Sequence, residues 1–524
     1  PEIYPDSVDS IDVHQTHISV VFLAGNRAYK IKKPVDFGFV DYSTLDRRRH
    51  FCRREVALNR RLAPGVYRGV VPITGTLESG LVIDGDGPLQ EWAVEMERLP
   101  SDAHLESRLR RLENGAVSGA NRRRLTRVAG RLADFYETAE TSAESAAYAS
   151  PDAVATNMLD NFRDSREQVG RCVSSSVFER FEALTSSELE RLRPQIARRA
   201  RQGIVCDTHG DLRLEHVYFL DGKGDEDERL SIIDCVEFND AFRYADPLAD
   251  IAFLAMDLEA HGFRPLADAF VTTFLEKTDA SDVGDLVDLY VAYRAAVRGK
   301  VSGLKALEEE VDVEEREEAR QKARRHWMLG LGRLESADRR PAMILVGGLP
   351  GTGKSTLARG LADAGDLDVI DTDVVRKDLA GLASDASAEA EVGAGIYTDA
   401  WSDRTYEACL QRARDVLFDG GRVIVDGSFR GADRRARFFE KAVEWGVPCR
   451  LIVCTAPDEV VVRRLEARHD DASDAGVDVY RSMQQDWDEL EPYVKERSVR
   501  VGTDRDPASS VASAVEQLEA WGLA

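Results

Sequence analysis

The stretch Ala342-Met343-Ile344-Leu345-Val346-Gly347-Gly348-Leu349-Pro350-Gly351-Thr352-Gly353-Lys354-Ser355 decides the fold of the C-terminal part of this chain. Ala342–Val346 is a continuous apolar run, which reads as a buried strand. Gly348–Ser355 then has the spacing G-x-x-x-x-G-K-[ST]. A glycine-rich turn between a strand and a helix aims backbone N–H groups at a phosphate chain, and the helix adds the positive end of its dipole. Lys354 reaches the β/γ-phosphates, and the Ser355 hydroxyl holds Mg²⁺. Gly348, Gly351, Thr352, Gly353, Lys354, Ser355 and Thr356 are therefore the expected contacts of ATP and its Mg²⁺.

Working outward, Asp368-Val369-Ile370-Asp371-Thr372-Asp373 reads as a short strand ending at Thr372 or Asp373 and running into a helix. Asp373 and Arg376 lie one helical turn apart. A carboxylate beside the γ-phosphate can take the proton of an acceptor hydroxyl, and an arginine one turn on can grip an anionic group. The bland alternative is an Asp N-cap followed by a surface arginine. Val423-Ile424-Val425-Asp426 is a strand ending in a carboxylate, placed to hold Mg²⁺ through water or to touch the acceptor. Arg464 and Arg468, four residues apart, are expected on one helix face as a mobile lid that neutralises phosphoryl charge. Ala/Gly/Ser-rich residues 380–395 are expected to line or cover the acceptor pocket.

A chain of 524 residues exceeds one ordinary core and predicts two or more domains. A net charge of −24 argues against broad electrostatic binding to nucleic acid or to anionic membranes. No apolar run is long enough to span a bilayer, and no signal peptide is visible. Seven cysteines scattered from 52 to 454, with no C-x-x-C pair, fit a reduced cytoplasm rather than a disulfide or zinc framework. The sequence begins at Pro1 rather than Met, so part of the natural chain is expected to precede it. No internal repeat is visible.

The first hundred residues read as strand-rich. His17–Leu23 and Arg27–Lys32 form a hairpin across Ala24-Gly25-Asn26, a helix spans Leu45–Leu62, and Glu91–Met96 is a further strand. From 101 to 335 the pattern is mostly helical. Ser142–Ser150 reads as a loop, and Ala306–Arg340, with Glu308-Glu309-Glu310, as a solvated helix plus linker. Two short apolar runs flank Thr208-His209-Gly210-Asp211, and the second ends in Ile232-Ile233-Asp234. An aspartate in a tight loop and a second at a strand end about 20 residues on is a phosphoryl-transfer arrangement.

This region resembles the aminoglycoside phosphotransferase and choline kinase family, a branch of the protein-kinase-like fold. The family's H-G-D-x-x-x-x-N is matched by His209-Gly210-Asp211 onward, and its D-P-x-x-D-L-A by Asp246-Pro247-x-x-Asp250-Ile251-Ala252. The resemblance implies that Asp211 is the catalytic base and Asp234 the metal carboxylate. It also implies a nucleotide-binding lysine at Lys30, with Lys32 as the alternative on the same strand face, and Glu55 as its ion-pair partner. Glu97 to Leu99 would be a hinge meeting adenine. Two departures stand out. His216 replaces the asparagine of the second metal site, and Gln15-Thr16-His17-Ile18 lies where a glycine-rich loop would be. Catalysis and a retained, non-catalytic nucleotide site both remain open for this half.

The C-terminal residues resemble the small P-loop kinases, such as gluconate kinase, zeta-type toxin kinases and the kinase half of polynucleotide kinase. The segment Ala472-Ser473-Asp474-Ala475 and the pair Glu491-Pro492 further resemble bacterial two-domain predicted kinases, in which an aminoglycoside-phosphotransferase-like domain precedes a P-loop kinase. Together these imply a bilobal kinase-like domain (small lobe 1–100, large lobe 101–335) followed by a parallel-sheet α/β P-loop domain over 339–524. The expected activity is transfer of the γ-phosphate of ATP to a hydroxyl of a small molecule. A polynucleotide 5′-hydroxyl kinase and a P-loop kinase regulated by a nucleotide-sensing N-terminal half are the alternatives. No membrane partner is expected.

Overall fold

The computed structural model describes residues 3–4, 8, 10–38, 40–76, 78, 80–110, 119–220, 228–280, 282–383, 395–467 and 476–524. It is mixed α/β, with a parallel-sheet P-loop unit at its C-terminal end. That sheet has five strands in the order Asp368–Asp371, Val423–Asp426, Met343–Gly347, Cys449–Thr455, Ser498–Gly502, and every neighbouring pair is parallel. Buried on both faces, the central strands read as unbroken apolar runs, as parallel strands covered by helices must. The phosphate-loop strand is in the middle, so its carboxyl end opens into the crevice where the winding direction reverses.

At the N-terminal end, six antiparallel strands are ordered Ile11–Gln15, Ser19–Ala24, Arg27–Lys32, Leu89–Glu97, Tyr67–Thr76, Gly80–Ile83. The predicted hairpin is present, with a turn at Gly25-Asn26. The helix expected at Leu45–Leu62 spans Leu45–Asn59, N-capped by Thr44, and packs on this sheet through Cys52 and Val56. The segment Gln15–Ile18 is the end of the first strand and the turn into the second.

Two expectations fail. Ser142–Ser150 contains a helix, Ala143–Tyr148: the Ser142 hydroxyl accepts from Ser145 N while Ser145 reaches back, a reciprocal cap that small residues concealed. Ala306–Arg340 does hold the expected helix, but that helix is not solvated. Helix Val313–Leu334 follows helix Gly284–Leu307 and buries Ala319, Ala323, Trp327, Gly330 and Leu331 along one stripe. Its first turns bury only the small Ala319 and Ala323, so the amphipathic signal there is drowned by the surrounding charged residues.

That helix joins the two halves. Phe162, Phe178, Phe181 and Trp327 share one apolar core with Leu410, Phe438, Phe439 and Trp445 of the P-loop unit. Polar contacts border the seam: Arg180 Nη1 donates to Gly420 O (2.7 Å) and Ser176 Oγ to Asp419 O (3.0 Å). At Gly446, with φ +72°, an added Cβ would lie 2.4 Å from the Arg325 carbonyl oxygen, so only glycine allows this approach. Among the described residues no helix is long and apolar enough to cross a membrane.

Candidate functional site

The phosphate loop leaves strand Met343–Gly347 and enters helix Lys354–Gly365. Gly348, Gly351 and Gly353 all have positive φ, which turns the chain tightly and faces its amides inward. Thr352 Oγ1 donates to Leu349 O (2.7 Å), and Lys354 Nζ donates to the same carbonyl (3.2 Å), across the mouth of the loop.

Asp426 ends the neighbouring strand and is 3% exposed. Its Oδ1 is buried without a hydrogen-bond partner. An ionised carboxylate so placed is costly unless a cation meets it. Burial pushes the Asp426 carboxyl up to about 6; Asp371 and Asp373 add to the rise, while Lys354 and Ser355 oppose it. An orphaned carboxylate oxygen beside a phosphate-loop serine fits Mg²⁺. That ion takes oxygen ligands, one or two carboxylates, and keeps the rest for water and phosphate.

Across the crevice, strand Asp368–Asp371 stops one residue earlier than expected. The N-cap of helix Thr372–Leu379 is Asp371, whose Oδ1 accepts from Asp373 N (2.8 Å) and Val374 N (3.3 Å). The capping role belongs to Asp371, so Asp373 is not consumed as a cap. Arg376 is buried and donates to Ile396 O (2.9 Å) and Ser402 Oγ (3.3 Å), with its guanidinium over the Tyr397 ring. Within 380–395, residues 384–394 lie outside the described residues.

Arg464 reaches the loop from helix Asp458–Glu466, where its Nη2 donates to Thr503 O (2.6 Å) and its Nη1 lies 3.5 Å from Gly351 O. Arg468 falls beyond that helix and lies outside the described residues, as do Ala472–Ala475. A cavity of about 310 Å³ opens beside the loop, lined by Gly353, Thr356, Arg464, Thr503, Arg505 and Ser510.

In the N-terminal half, Lys30 and Lys32 do share a strand face, and Glu55 meets both. Lys30 Nζ is 2.9 Å from Glu55 Oε1 and 2.7 Å from Asp234 Oδ1; Lys32 Nζ is 2.7 Å from Glu55 Oε2 and also pairs with Glu237. Lys32 is 1% exposed, and Tyr42 Oη donates to the same Glu237 oxygen (2.5 Å). Burial opposes both lysine charges, yet the carboxylates around them hold both well above the usual lysine range. Lys30 is the one that faces Asp234.

Asp234 has φ +65°, uncommon outside glycine, and its carboxylate is 42% exposed in the cleft. Burial would raise its titration, but Lys30 holds it well below the carboxylate range. Asp250 fixes the Asp211 loop by accepting from His209 N (2.6 Å) and Gly210 N (2.9 Å). Asp211 Oδ2 accepts from Arg213 Nε (3.1 Å), and against the effect of burial Arg213 holds this carboxyl low. Glu97 and Leu99 lie at the end of strand Leu89–Glu97, where Glu97 N donates to Val66 O (2.9 Å).

Two uncharacterized proteins, one from Mycobacterium tuberculosis and one from Mycobacterium bovis, are each 33% identical to this chain over 481 residues, 91% of this chain and 91% of theirs. The chain belongs to their family. A family model described as an AAA domain matches residues 343–490 of this member. Solved structures that align with it include a sugar kinase from a Janibacter species (18% identical, TM-score 0.27, 34% of this chain and 95% of that one). A gluconokinase from Sinorhizobium meliloti (19%, 0.27, 35% and 95%) and a shikimate kinase from Aquifex aeolicus (18%, 0.26, 34% and 98%) align similarly.

In this member of the family, the chain brings Lys354, Ser355, Asp373 and Asp426 to the carboxyl ends of three adjacent strands. It brings Lys30, Glu55, Asp211, Asp234 and His216 to a second cleft. Sequence reasoning missed Thr503, Arg505 and Ser510, which line the cavity beside the phosphate loop from about 150 residues downstream; the Thr503 hydroxyl lies within hydrogen-bond reach of Thr352 O in the loop (2.5 Å) and of Thr455 O (3.1 Å). It also missed Glu237 and Tyr42, whose partner Lys32 is revealed only by the folded cleft.

Proposed function

We propose that this protein is an ATP-dependent phosphotransferase acting on a hydroxyl of a small molecule, with the P-loop unit as its engine. The observation that carries this reading is the buried, unpartnered Asp426 Oδ1 beside Ser355 and Lys354. Ser355 and Asp426 would hold Mg²⁺, which when bound bridges and neutralises the phosphates. Lys354 and Arg464 flank the phosphate loop, positioned for the charge of the transferring group. Asp373 takes the proton of the acceptor hydroxyl, and Arg376 orients an anionic part of the acceptor. The cavity at Thr503 and Arg505 has room for the nucleotide base.

The kinase-like reading of the N-terminal half adds a second ATP site built on Lys30, Glu55 and Asp234, with Asp211 as base. The continuous core between the halves favours, alongside independent transfer, a reading in which this second site senses nucleotide and regulates the P-loop unit.

The test is incubation of the full chain with labelled ATP and a panel of sugars, aminoglycosides, nucleosides and 5′-hydroxyl oligonucleotides. Lys354→Ala and Asp373→Ala are expected to abolish transfer by the P-loop site. An Asp373→Ala protein of full activity would remove the proposed base. Transfer that survives Lys354→Ala but not Asp211→Ala would assign a separate activity to the N-terminal half.

A further inference from the structure

The N-terminal cleft offers a nitrogen where a Mg²⁺ site offers oxygen. His216 closes the short turn Leu214–His216, and the residue is 6% exposed. Its Nδ1 lies 2.7 Å from the Asp211 carbonyl oxygen. A carbonyl only accepts, so Nδ1 carries the proton. Its Nε2 lies 3.2 Å from Arg213 Nη2. A guanidinium only donates, so Nε2 presents a lone pair. Both contacts demand the same neutral tautomer.

This is how a metal-binding imidazole is prepared: one nitrogen donates to a backbone carbonyl, which fixes the ring and aims the other nitrogen's lone pair outward. The same Nε2 lies 3.6 Å from Oδ2 of Asp234, the metal carboxylate of the proposed nucleotide site. Two donors each about 2.1 Å from one ion stand about 3.0 to 3.4 Å apart between right-angle and tetrahedral geometry, so a shift of a few tenths of an ångström brings both onto one cation. Asp234 is held for this by its left-handed backbone, and its other oxygen is tied to Lys30.

Mg²⁺ strongly prefers oxygen, whereas the first-row divalent ions accept imidazole, Mn²⁺ least tightly and the later ions more so. We propose that the N-terminal nucleotide site takes a nitrogen-tolerant divalent cation, of which Mn²⁺ is the probe, ligated by His216 Nε2 and Asp234 in preference to Mg²⁺. The inference rests on the reading of this cleft as a nucleotide site. Among the described residues no group of three or more His, Cys, Asp or Glu forms a ready metal cage. Two protein donors leave the remaining positions to phosphate oxygens and water, so cation and nucleotide enter together. Arg213 occupies the lone pair meanwhile and is freed toward the phosphates once the cation replaces it.

The experiment uses the full chain carrying Lys354→Ala to silence the P-loop site, with Mn²⁺ and a non-hydrolysable ATP analogue. Electron spin-echo spectroscopy is expected to show one imidazole nitrogen coupled to the bound Mn²⁺, and His216→Asn to remove it. Nucleotide titration with each metal is expected to favour Mn²⁺ over Mg²⁺, and His216→Asn to reduce that preference. Metal-dependent nucleotide binding without nitrogen coupling, and with a preference unchanged by His216→Asn, overturns the metal assignment and leaves the nucleotide site standing. No nucleotide binding at all in the Lys354→Ala protein overturns both. If His216→Asn fails to fold, the coupling in the unsubstituted cleft decides by itself.

Discussion

Replacing Asp426 by Asn should make the metal-free protein more stable while removing its phosphotransfer. Asp426 is 3% exposed, and its carboxyl is pushed up to about 6 by burial. An unfolded aspartate titrates at about 3.9, so the ionised form costs the folded state about 3 kcal/mol once the pH is above both values. The sign follows from the direction of the shift. Below about pH 4 both states are protonated and the penalty is absent; it grows as pH rises through about 6 and is complete above about pH 7. Asparagine has the shape of the neutral acid and never ionises. If the 524 residues melt as one unit, the gain is about 3 °C at pH 8 and close to nothing at pH 4. Paired thermal melts of parent and Asp426→Asn, in chelator, at those two pH values measure it. A variant that melts at or below the parent temperature at pH 8 would refute the claim that this carboxylate lies uncompensated until a cation arrives. Saturating Mg²⁺ and ATP should reverse the order, because only the parent gains from them.

The seam and the lysine pair give two further expectations. Trp327→Ala should cost about 3–5 kcal/mol through the cavity it leaves, and Gly330→Ala about 1–3 kcal/mol because its new Cβ would sit 2.4 Å from the Phe181 ring. Denaturant melts followed separately by signals from each half would then show both halves lowered together; a loss confined to one half would contradict a shared core. Lys32→Met should leave Glu237 buried without its cation and Glu55 with Lys30 alone, and cost about 3–5 kcal/mol. Lys30→Met, on the side facing the cleft, should instead weaken nucleotide binding in a Lys354→Ala background with the smaller loss of stability. Nucleotide titration and thermal melting of the two variants check this, and the reverse pattern would exchange the roles assigned to the two lysines.

The phosphate loop was legible because its chemistry is local: a strand, four glycines and a helix start lie within 14 consecutive residues. The same holds for the strand ending in Asp426, whose apolar run and terminal carboxylate need no distant partner to be read. Lys30 and Lys32 could be placed on one strand face by alternation alone. Which of them faces the cleft could not, since that depends on Glu237 and Asp234, some 200 residues away. The helix Val313–Leu334 was misread for a related reason. Its first turns bury only Ala319 and Ala323 among charged residues, so the apolar face does not declare itself until Trp327. The cavity wall at Thr503 and Arg505 reaches the phosphate loop only after the sheet has closed.

Sequence by itself determined the local devices of this protein: the phosphate cradle, the strand-end carboxylates and the lysine-bearing strand face. Each depends on spacing along a single element, where backbone periodicity dictates direction. Only the tertiary structure decided how the halves are joined, which lysine faces Asp234, and which nitrogen of His216 is left with its lone pair. Those outcomes are set by contacts between residues remote in the chain, or by hydrogen-bond partners that exist only once the loop around Asp211 is folded.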